Sequence, residues 1–240
     1  MAVQDNHKAG YVNIIGNPNV GKSTLMNTLL GEKLSITTPK AQTTRHRILG
    51  IANGTDYQIV FSDTPGILKP SYKLQEHMMH FVNSALEDAD LYIVLTEVND
   101  EIKNPAILEK IRKSGTPVLL LVNKIDLAKG DEATRECEKW EKEYPEWNVL
   151  PVSALMGYNI DKVLNLILDL LPESPPFYPK DDITDKPVRF FVAETIREKL
   201  MMYYHQEVPY SVEVAVESFK EEDKLIRIRC VIHVARESQK

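Results

Sequence analysis

One eight-residue segment has the residue types and spacing that hold a polyphosphate. It reads Gly16-Asn17-Pro18-Asn19-Val20-Gly21-Lys22-Ser23 and fits the pattern G-x-x-x-x-G-K-S. An apolar stretch precedes it and a helix-forming stretch follows it, so main-chain N–H groups and the positive end of a helix can surround phosphate groups. We expect Lys22 to reach the β- and γ-phosphates and the Ser23 hydroxyl to bind Mg²⁺. The residues expected to line this cradle are Asn17, Pro18, Asn19, Val20, Gly21, Lys22, Ser23 and Thr24.

A second short motif, Asp63-Thr64-Pro65-Gly66, follows an apolar strand further along the chain. Asp63 can hold Mg²⁺ through water, and the N–H of Gly66 can donate a hydrogen bond to a γ-phosphate. Loss of that phosphate would then release the loop, which is how phosphate-dependent switches work. An ordinary turn has the same residue types, so the position of the motif after a phosphate loop carries the prediction.

A third motif, Asn123-Lys124-Ile125-Asp126, indicates which base is selected. A carboxylate at Asp126 can accept hydrogen bonds from N1–H and the exocyclic amine of guanine, whereas adenine has no donor at N1. Lys124 would lie along the base and Asn123 would brace the loop. Ser153-Ala154, after the next strand, can offer a backbone N–H to guanine O6. Together these residues predict a site for GTP and GDP.

The elements around these motifs predict an α/β fold. Apolar strands alternate with amphipathic helices, and a hairpin lies between the first two motifs, which favours a doubly wound, mostly parallel sheet with one antiparallel edge strand. In such sheets, ligands bind at the carboxyl ends of the strands, where all of the motifs lie. The expected strands are 91–95, 118–122 and 149–152, the helices 73–87, 105–113, 132–143 and 160–171, and the hairpin strands 47–52 and 57–62.

Composition shifts divide the chain into four parts. Residues 1–9 are polar and predict a flexible tail, residues 10–172 form the α/β domain, and residues 173–187 are a Pro-rich linker. Residues 188–240 predict one helix followed by two half-buried strands joined by a charged turn at 220–224. Residues 32–44 have no apolar period and predict a mobile loop.

The overall composition excludes several classes of protein. The net charge is −6, which is no global signal for nucleic acid or an anionic membrane. The two cysteines, Cys137 and Cys230, lie far apart in the sequence and fit a reduced, cytoplasmic compartment. Neither a secretion signal nor an apolar run of membrane-spanning length is expected.

The motifs together resemble the Era family of GTPases. The resemblance is carried by the runs 17–27, 40–47 and 63–67 and extends over essentially the whole chain. It implies a P-loop GTPase domain followed by an α+β KH domain that binds the 3′ end of small-subunit ribosomal RNA during assembly of the small ribosomal subunit. It also implies a Mg²⁺-dependent hydrolase whose bound GTP or GDP sets its conformation.

The resemblance also assigns roles within the loops. It implies that Thr44 binds Mg²⁺ beside Ser23 and Asp63, with Thr43 the other candidate, and that Lys22, Thr44, Gly66 and Asn19 take part in catalysis. Asn19 stands where some related GTPases bind K⁺. Ile67 stands where Ras-like proteins have a water-orienting Gln, so slow intrinsic hydrolysis is expected.

The RNA-binding half departs from the family pattern. A KH domain of this type should carry a G-x-x-G loop between its last two helices, and the sequence reaches Lys240 before such a loop. We therefore expect weak RNA binding by this chain. The resemblance further implies a monomer with peripheral contact at the inner membrane face. The alternative function is an RNA-binding assembly scaffold in which nucleotide is mainly structural; single-turnover phosphate release separates the two.

Overall fold

The structure is a computed structural model that describes residues 7–68, 70–71, 73–204 and 212–236. The chain forms two compact units. Among the described residues, the first unit contains those up to Ser35 together with those within Thr44–Asp185. The second contains those within Ile36–Thr43 together with those from Lys186 onward. This division differs from the predicted one, because the loop 36–43 belongs to the second unit and most of the predicted linker belongs to the first.

The first unit is built on a six-stranded sheet in the order β2-β3-β1-β4-β5-β6. Every neighbouring pair is parallel except β2 and β3, as predicted from the hairpin. The strands are β1 (Lys8–Gly16), β2 (Ile48–Asn53), β3 (Tyr57–Asp63), β4 (Leu91–Glu97), β5 (Val118–Asn123) and β6 (Asn148–Pro151). The helices are α1 (Lys22–Leu30), α2 (Lys73–Ala85), α3 (Pro105–Ser114), α4 (Glu132–Glu143) and α5 (Ile160–Leu170).

The central strands are apolar along their whole length because helices cover both faces of the sheet. All residues of β5 are buried, and only the last residue of β4 is partly exposed. The predicted tail ends earlier than expected. Lys8 and Ala9 belong to β1, where Ala9 is fully buried and the Lys8 amide donates a 2.9 Å hydrogen bond to Asp56 O. Pairing of these two residues with β3 therefore outweighs the tendency of the polar local sequence to remain unstructured.

Residues 173–185, which we expected to be a linker, lie along the edge strand β2 and are here called the strap. Ile183 O accepts a hydrogen bond from Ile51 N at 2.9 Å, and Thr184 Oγ1 donates to Leu49 O at 2.7 Å. The buried Gln58 side chain accepts from the backbone N–H groups of Phe177 and Tyr178 at 2.7 and 2.9 Å. The strap therefore covers main-chain groups that an edge strand would otherwise expose.

The second unit contains α6 (Val188–Tyr203) and the hairpin of β7 (Glu213–Glu222) and β8 (Leu225–His233). The strands extend further than predicted and meet in a two-residue turn at Asp223–Lys224 instead of the longer charged turn. The expected half-burial of β8 is wrong for the described residues, since Ile226 and Ile232 are 55% and 44% exposed. One helix and two strands are too few to bury all the apolar side chains of β8.

The loop 36–43 is held by α6, although we predicted that it would be mobile. The buried Arg197 guanidinium pairs with Glu194 at 2.5 Å and also donates a 2.5 Å hydrogen bond to Thr43 O. Glu198, also buried, accepts from Thr37 N at 3.1 Å. Two charged side chains of the helix thus bind the backbone at both ends of the loop. No helix in the described residues is both long and apolar enough to cross a bilayer.

Candidate nucleotide-binding and catalytic site

The predicted motifs meet at one edge of the six-stranded sheet. The phosphate loop follows β1, the Asp63 motif ends β3, the Asn123 motif follows β5, and Ser153 lies just beyond β6. Because these strands run parallel, their carboxyl ends lie at the same edge. β1 lies between β3 and β4, so the chain switches sides there, which is where open α/β sheets bind ligands.

The two glycines of the phosphate loop allow close backbone approach. Gly21 has φ of 100°, and a Cβ at that position would lie 2.4 Å from Asn123 Nδ2. A Cβ on Gly16 would lie 2.3 Å from the backbone oxygen of Leu95. A side chain at either position would therefore displace a neighbouring loop or strand, and the bare backbone leaves its N–H groups available to a phosphate.

Lys22 is buried in the same loop, where its ammonium group donates to Gly16 O at 3.0 Å and to Asn17 O at 2.8 Å. Burial lowers the pKa of Lys22 to about 8, and the negative charges of Asp63 and Asp100 oppose that effect. A buried cation hydrogen-bonded to carbonyl groups favours an incoming anion, because a phosphate would supply the compensating charge.

The predicted magnesium ligands lie together. Ser23 Oγ donates to Asp63 Oδ2 at 2.6 Å and lies 2.9 Å from Thr44 Oγ1. Asp63 is fully buried and its Oδ1 has no hydrogen-bond partner, while burial raises the pKa of its carboxyl group above the usual value. Two hydroxyls and an unsatisfied carboxylate are oxygen donors of the type that Mg²⁺ prefers, so the residues fit this ion.

The structure separates the two threonine candidates. Thr43 Oγ1 donates to Lys40 O and lies 2.7 Å from Thr38 Oγ1, so its hydroxyl is used within its own loop. The Thr44 hydroxyl instead lies 3.4 Å from Asp63 Oδ2, beside Ser23. This geometry favours Thr44 for the magnesium role.

The Asp63 motif contacts the phosphate loop through its glycine. A Cβ on Gly66 would lie 2.6 Å from the backbone of Pro18, and Ile67 N donates to Gly16 O at 2.9 Å. The side chain of Ile67 is fully buried in the hydrophobic core. It therefore has neither the polarity nor the position to orient an attacking water.

The base-recognition residues are also assembled. Asn123 Nδ2 donates to Val20 O at 2.8 Å, and its Oδ1 accepts from Ala154 N at 2.9 Å. This side chain, which we expected to brace its own loop, therefore joins three loops. Asp126 is exposed at the edge of the site, and its Oδ1 accepts a 2.5 Å hydrogen bond from Ser153 Oγ. That contact orients the carboxylate expected to read guanine.

For four residues of the predicted site, the structure gives a position but no contact that defines the expected role. Lys124 has φ of 59°. Its ammonium group pairs with the Glu97 carboxylate at 2.7 Å, and this ion pair holds the lysine side chain in an extended position. Asn19 is exposed with φ of 66°, and Thr24 lies in the first turn of α1. The Asn17 side chain donates to the Asp100 carboxylate. Sequence reasoning missed Glu97 and Asp100, and no local pattern marks either one.

Comparisons with known proteins find relatives that match nearly the whole chain. A protein-family model described as "50S ribosome-binding GTPase" matches residues 11–124. The "GTPase Era" of Geotalea daltonii is 46% identical over 100% of this chain and 82% of its own length. A crystal structure of Era with MgGDPNP and nucleotides 1506–1542 of 16S ribosomal RNA has a TM-score of 0.92 at 39% identity, covering 98% of this chain and 81% of that chain. A variant of Aquifex aeolicus Era bound to GDP·AlF4⁻ has a TM-score of 0.91 at 39% identity, covering 97% of this chain and 81% of that chain.

Proposed function

Because the chain belongs to the Era family of GTPases, we propose that it couples GTP hydrolysis to the binding of 16S ribosomal RNA during assembly of the small ribosomal subunit. The observation that carries the proposal is the assembled site: a phosphate cradle, an oxygen-donor cluster and an Asn-Lys-x-Asp loop lie at one sheet edge. The solved Era structure with a GTP analogue and a 16S fragment supports the RNA half.

The residues of the first unit would divide the work on GTP. Main-chain N–H groups of the phosphate loop and the Lys22 ammonium group would hold the phosphate chain, and the Gly66 N–H would contact its end. Ser23, Thr44 and Asp63 would hold Mg²⁺, which supplies neutralisation of phosphate charge when bound. Rate enhancement would come from positioning and charge, since Ile67, at the position of the water-orienting Gln of Ras-like proteins, is apolar and buried. We therefore propose a slow intrinsic rate.

The second unit supplies a means of sensing the nucleotide. Its helix α6 binds the backbone of the loop 36–43 through Arg197 and Glu198, and the next residue in the chain, Thr44, joins the oxygen-donor cluster. A change in the position of Thr44 after phosphate release would therefore pull on a segment bonded to α6. We propose this covalent continuity as the route from the nucleotide to the RNA-binding unit.

Single-turnover phosphate release tests the enzymatic half directly. The wild-type chain should release phosphate from bound GTP in the presence of Mg²⁺, and Asp63→Asn should release it at least tenfold more slowly, because the oxygen-donor cluster loses its charge. Glu101→Gln, an exposed carboxylate outside the cluster, serves as the charge-matched control. Equal rates in Asp63→Asn and wild type would contradict the proposed magnesium site.

The ribosomal half needs a cellular test. Cells depleted of the protein should accumulate free small subunits and precursor 16S ribosomal RNA, and the wild-type gene should reverse both, whereas Lys22→Ala should not. Unchanged subunit profiles after depletion would contradict the role in assembly.

RNA binding by the isolated chain is tested in vitro. Residues 185–240 contain ten basic and ten acidic side chains, so they form no net positive charge that would attract RNA. We therefore expect this chain to bind RNA weakly. Nanomolar, sequence-dependent binding at physiological salt would contradict that expectation.

We also propose that K⁺ assists hydrolysis through Asn19. This residue lies in the phosphate loop, where it is exposed and has a left-handed backbone with φ of 66°. Turnover should be faster in KCl than in NaCl at matched ionic strength, and Asn19→Ala should remove the difference. Equal turnover in both salts with the wild-type chain would contradict the proposal.

We place the protein in the cytoplasm as a monomer with peripheral contact at the inner membrane face. The two distant free cysteines support the compartment, and the family resemblance supports the other two statements. Light scattering should give the mass of a single 27.4 kDa chain. Flotation with vesicles of anionic lipid should carry a fraction of the protein with them, and absence from the vesicle fraction would contradict the membrane contact.

A further inference from the structure

The loop after β4 touches both halves of the nucleotide site, although no motif lies in it. Glu97, at the end of β4, pairs with the Lys124 ammonium group of the base-recognition loop at 2.7 Å. Three residues later, Asp100 contacts the phosphate loop through Asn17. β1 and β4 are neighbours at the point where the chain switches sides of the sheet, so the loops that follow them leave in different directions. A contact between these loops therefore lies at the place where open α/β sheets bind ligands.

The contact uses both the donor and the acceptor of one buried side chain. Asn17 is 1% exposed, and its Nδ2 donates to both carboxylate oxygens of Asp100 at 3.0 and 2.9 Å and to Glu101 O at 2.7 Å. Its Oδ1 accepts from Lys103 N at 3.0 Å. Because the amide donates on one side and accepts on the other, its orientation is set, and the phosphate loop is tied to residues 100–103 at four points.

The loop that supplies these partners is itself fixed. Asn99 has φ of 60°, and Asp100 N donates to Glu97 O at 3.0 Å, which closes a tight turn at the end of β4. Burial raises the pKa of Asp100, and the hydrogen bond from Asn17 acts in the opposite direction. The backbone oxygen of Asn17 meanwhile accepts from Lys22 Nζ at 2.8 Å. One residue thus connects a rigid turn on one side with the phosphate-binding lysine on the other.

We infer that Asp100 is a positioning residue which, through Asn17, holds the phosphate loop in its nucleotide-binding shape and thereby slows nucleotide release. A loop fixed before binding loses less conformational freedom when the nucleotide enters, so affinity falls when the tie is cut. Asp100 acts on the loop rather than on the reacting atoms, so the effect appears in nucleotide dissociation and KM and leaves kcat nearly unchanged. This inference rests on the proposed nucleotide site.

Dissociation of a fluorescent GDP analogue, followed by stopped flow, tests the inference. Asp100→Ala should release GDP about tenfold faster, the factor that corresponds to one lost hydrogen bond to a charged group. Asp100→Asn keeps an oxygen acceptor without the charge and should release it about threefold faster, since a neutral hydrogen bond is about half as strong. The matched control, Glu109→Gln, removes an exposed charge on α3, outside the contacts of Asn17, and should match wild type.

A double-mutant cycle separates the tie from general loosening. Asn17→Ala, which also loses the bonds to Glu101 O and Lys103 N, should release GDP at least as fast as Asp100→Ala. The double variant should release GDP no faster than Asn17→Ala alone, because Asp100 acts only through Asn17. Additive effects would overturn the inference. So would wild-type dissociation in both Asp100 variants, or slower release in either, since the latter would mean that Asp100 acts by repelling phosphate.

Two further outcomes are distinguishable. If wild-type protein does not bind GDP, the proposed function fails and not this inference alone. If the wild type binds GDP and Asp100→Ala lowers the melting temperature without changing dissociation, the contact serves only stability and the inference is overturned. Should Asp100→Ala not fold, Asp100→Asn carries the same comparison with its smaller expected factor.

Discussion

Replacing Arg197 with Met should release the loop 36–43 from α6. Arg197 is 3% exposed and makes two contacts that matter here, the pair with Glu194 and the hydrogen bond to Thr43 O. Loss of the bond to Thr43 should lower the free energy of opening of the loop by about 2 kcal/mol, which corresponds to roughly thirtyfold faster amide exchange. Glu194 would remain buried without its partner, and breaking such a pair costs about 3–5 kcal/mol, so α6 should also exchange faster.

Hydrogen exchange measured by mass spectrometry distinguishes these two effects. The Thr37 amide, bonded to Glu198, reports on the loop, and peptides within 188–203 report on the helix. The double variant Glu194→Met with Arg197→Met removes both charges, so exchange in the helix should recover while the loop stays fast. Arg189→Met, an exposed change on the same helix, is the control. Unchanged exchange of the loop in Arg197→Met would refute the reasoning.

Three other measurements test separate contacts of the structure. Gln58→Leu should leave two strap amides unpaired and lower the free energy of unfolding by about 3 kcal/mol in guanidinium titrations; a loss below about 1 kcal/mol would contradict the strap contacts. Burial raises the pKa of the Cys137 thiol to about 11, so at pH 8 only Cys230 should react quickly with a disulfide reagent, and reaction of Cys137 should speed up as pH rises toward that value; two fast thiols at pH 8 would contradict this burial. Thr44→Ala should weaken Mg²⁺-dependent hydrolysis by at least tenfold and Thr43→Ala by less than threefold, and the reverse order would exchange their roles.

The positions of the candidate phosphate and base motifs could be predicted because each motif consists of residues close together in the sequence. Gly21, Lys22 and Ser23 lie within one turn, and the strand before them and the helix after them are each visible as a local pattern. The parallel order of the strands then brings the Asp63 and Asp126 motifs to the same edge. Motif spacing and alternation of elements were sufficient for this part of the site.

The contacts that the sequence did not reveal join residues far apart in the chain. Asn17 and Asp100 are 83 positions apart, and Arg197 and Thr43 are 154 positions apart. Neither pair has a local signature, since an Asn in a loop or an Arg on a helix is more often solvated. The same reason explains the strap: four prolines within 172–179 indicate an extended segment but not the surface on which it lies. Only the folded arrangement identifies these partners.

The most direct measurement is competition for the bound nucleotide. GTP and GDP should displace a bound fluorescent guanine nucleotide at concentrations at least a hundredfold below ATP, because adenine leaves Asp126 without a donor. Asp126→Asn should weaken guanine nucleotides and favour xanthine nucleotides, whose ring carries an oxygen in place of the amine. Equal displacement by ATP and GTP, or unchanged selectivity in Asp126→Asn, would contradict the account.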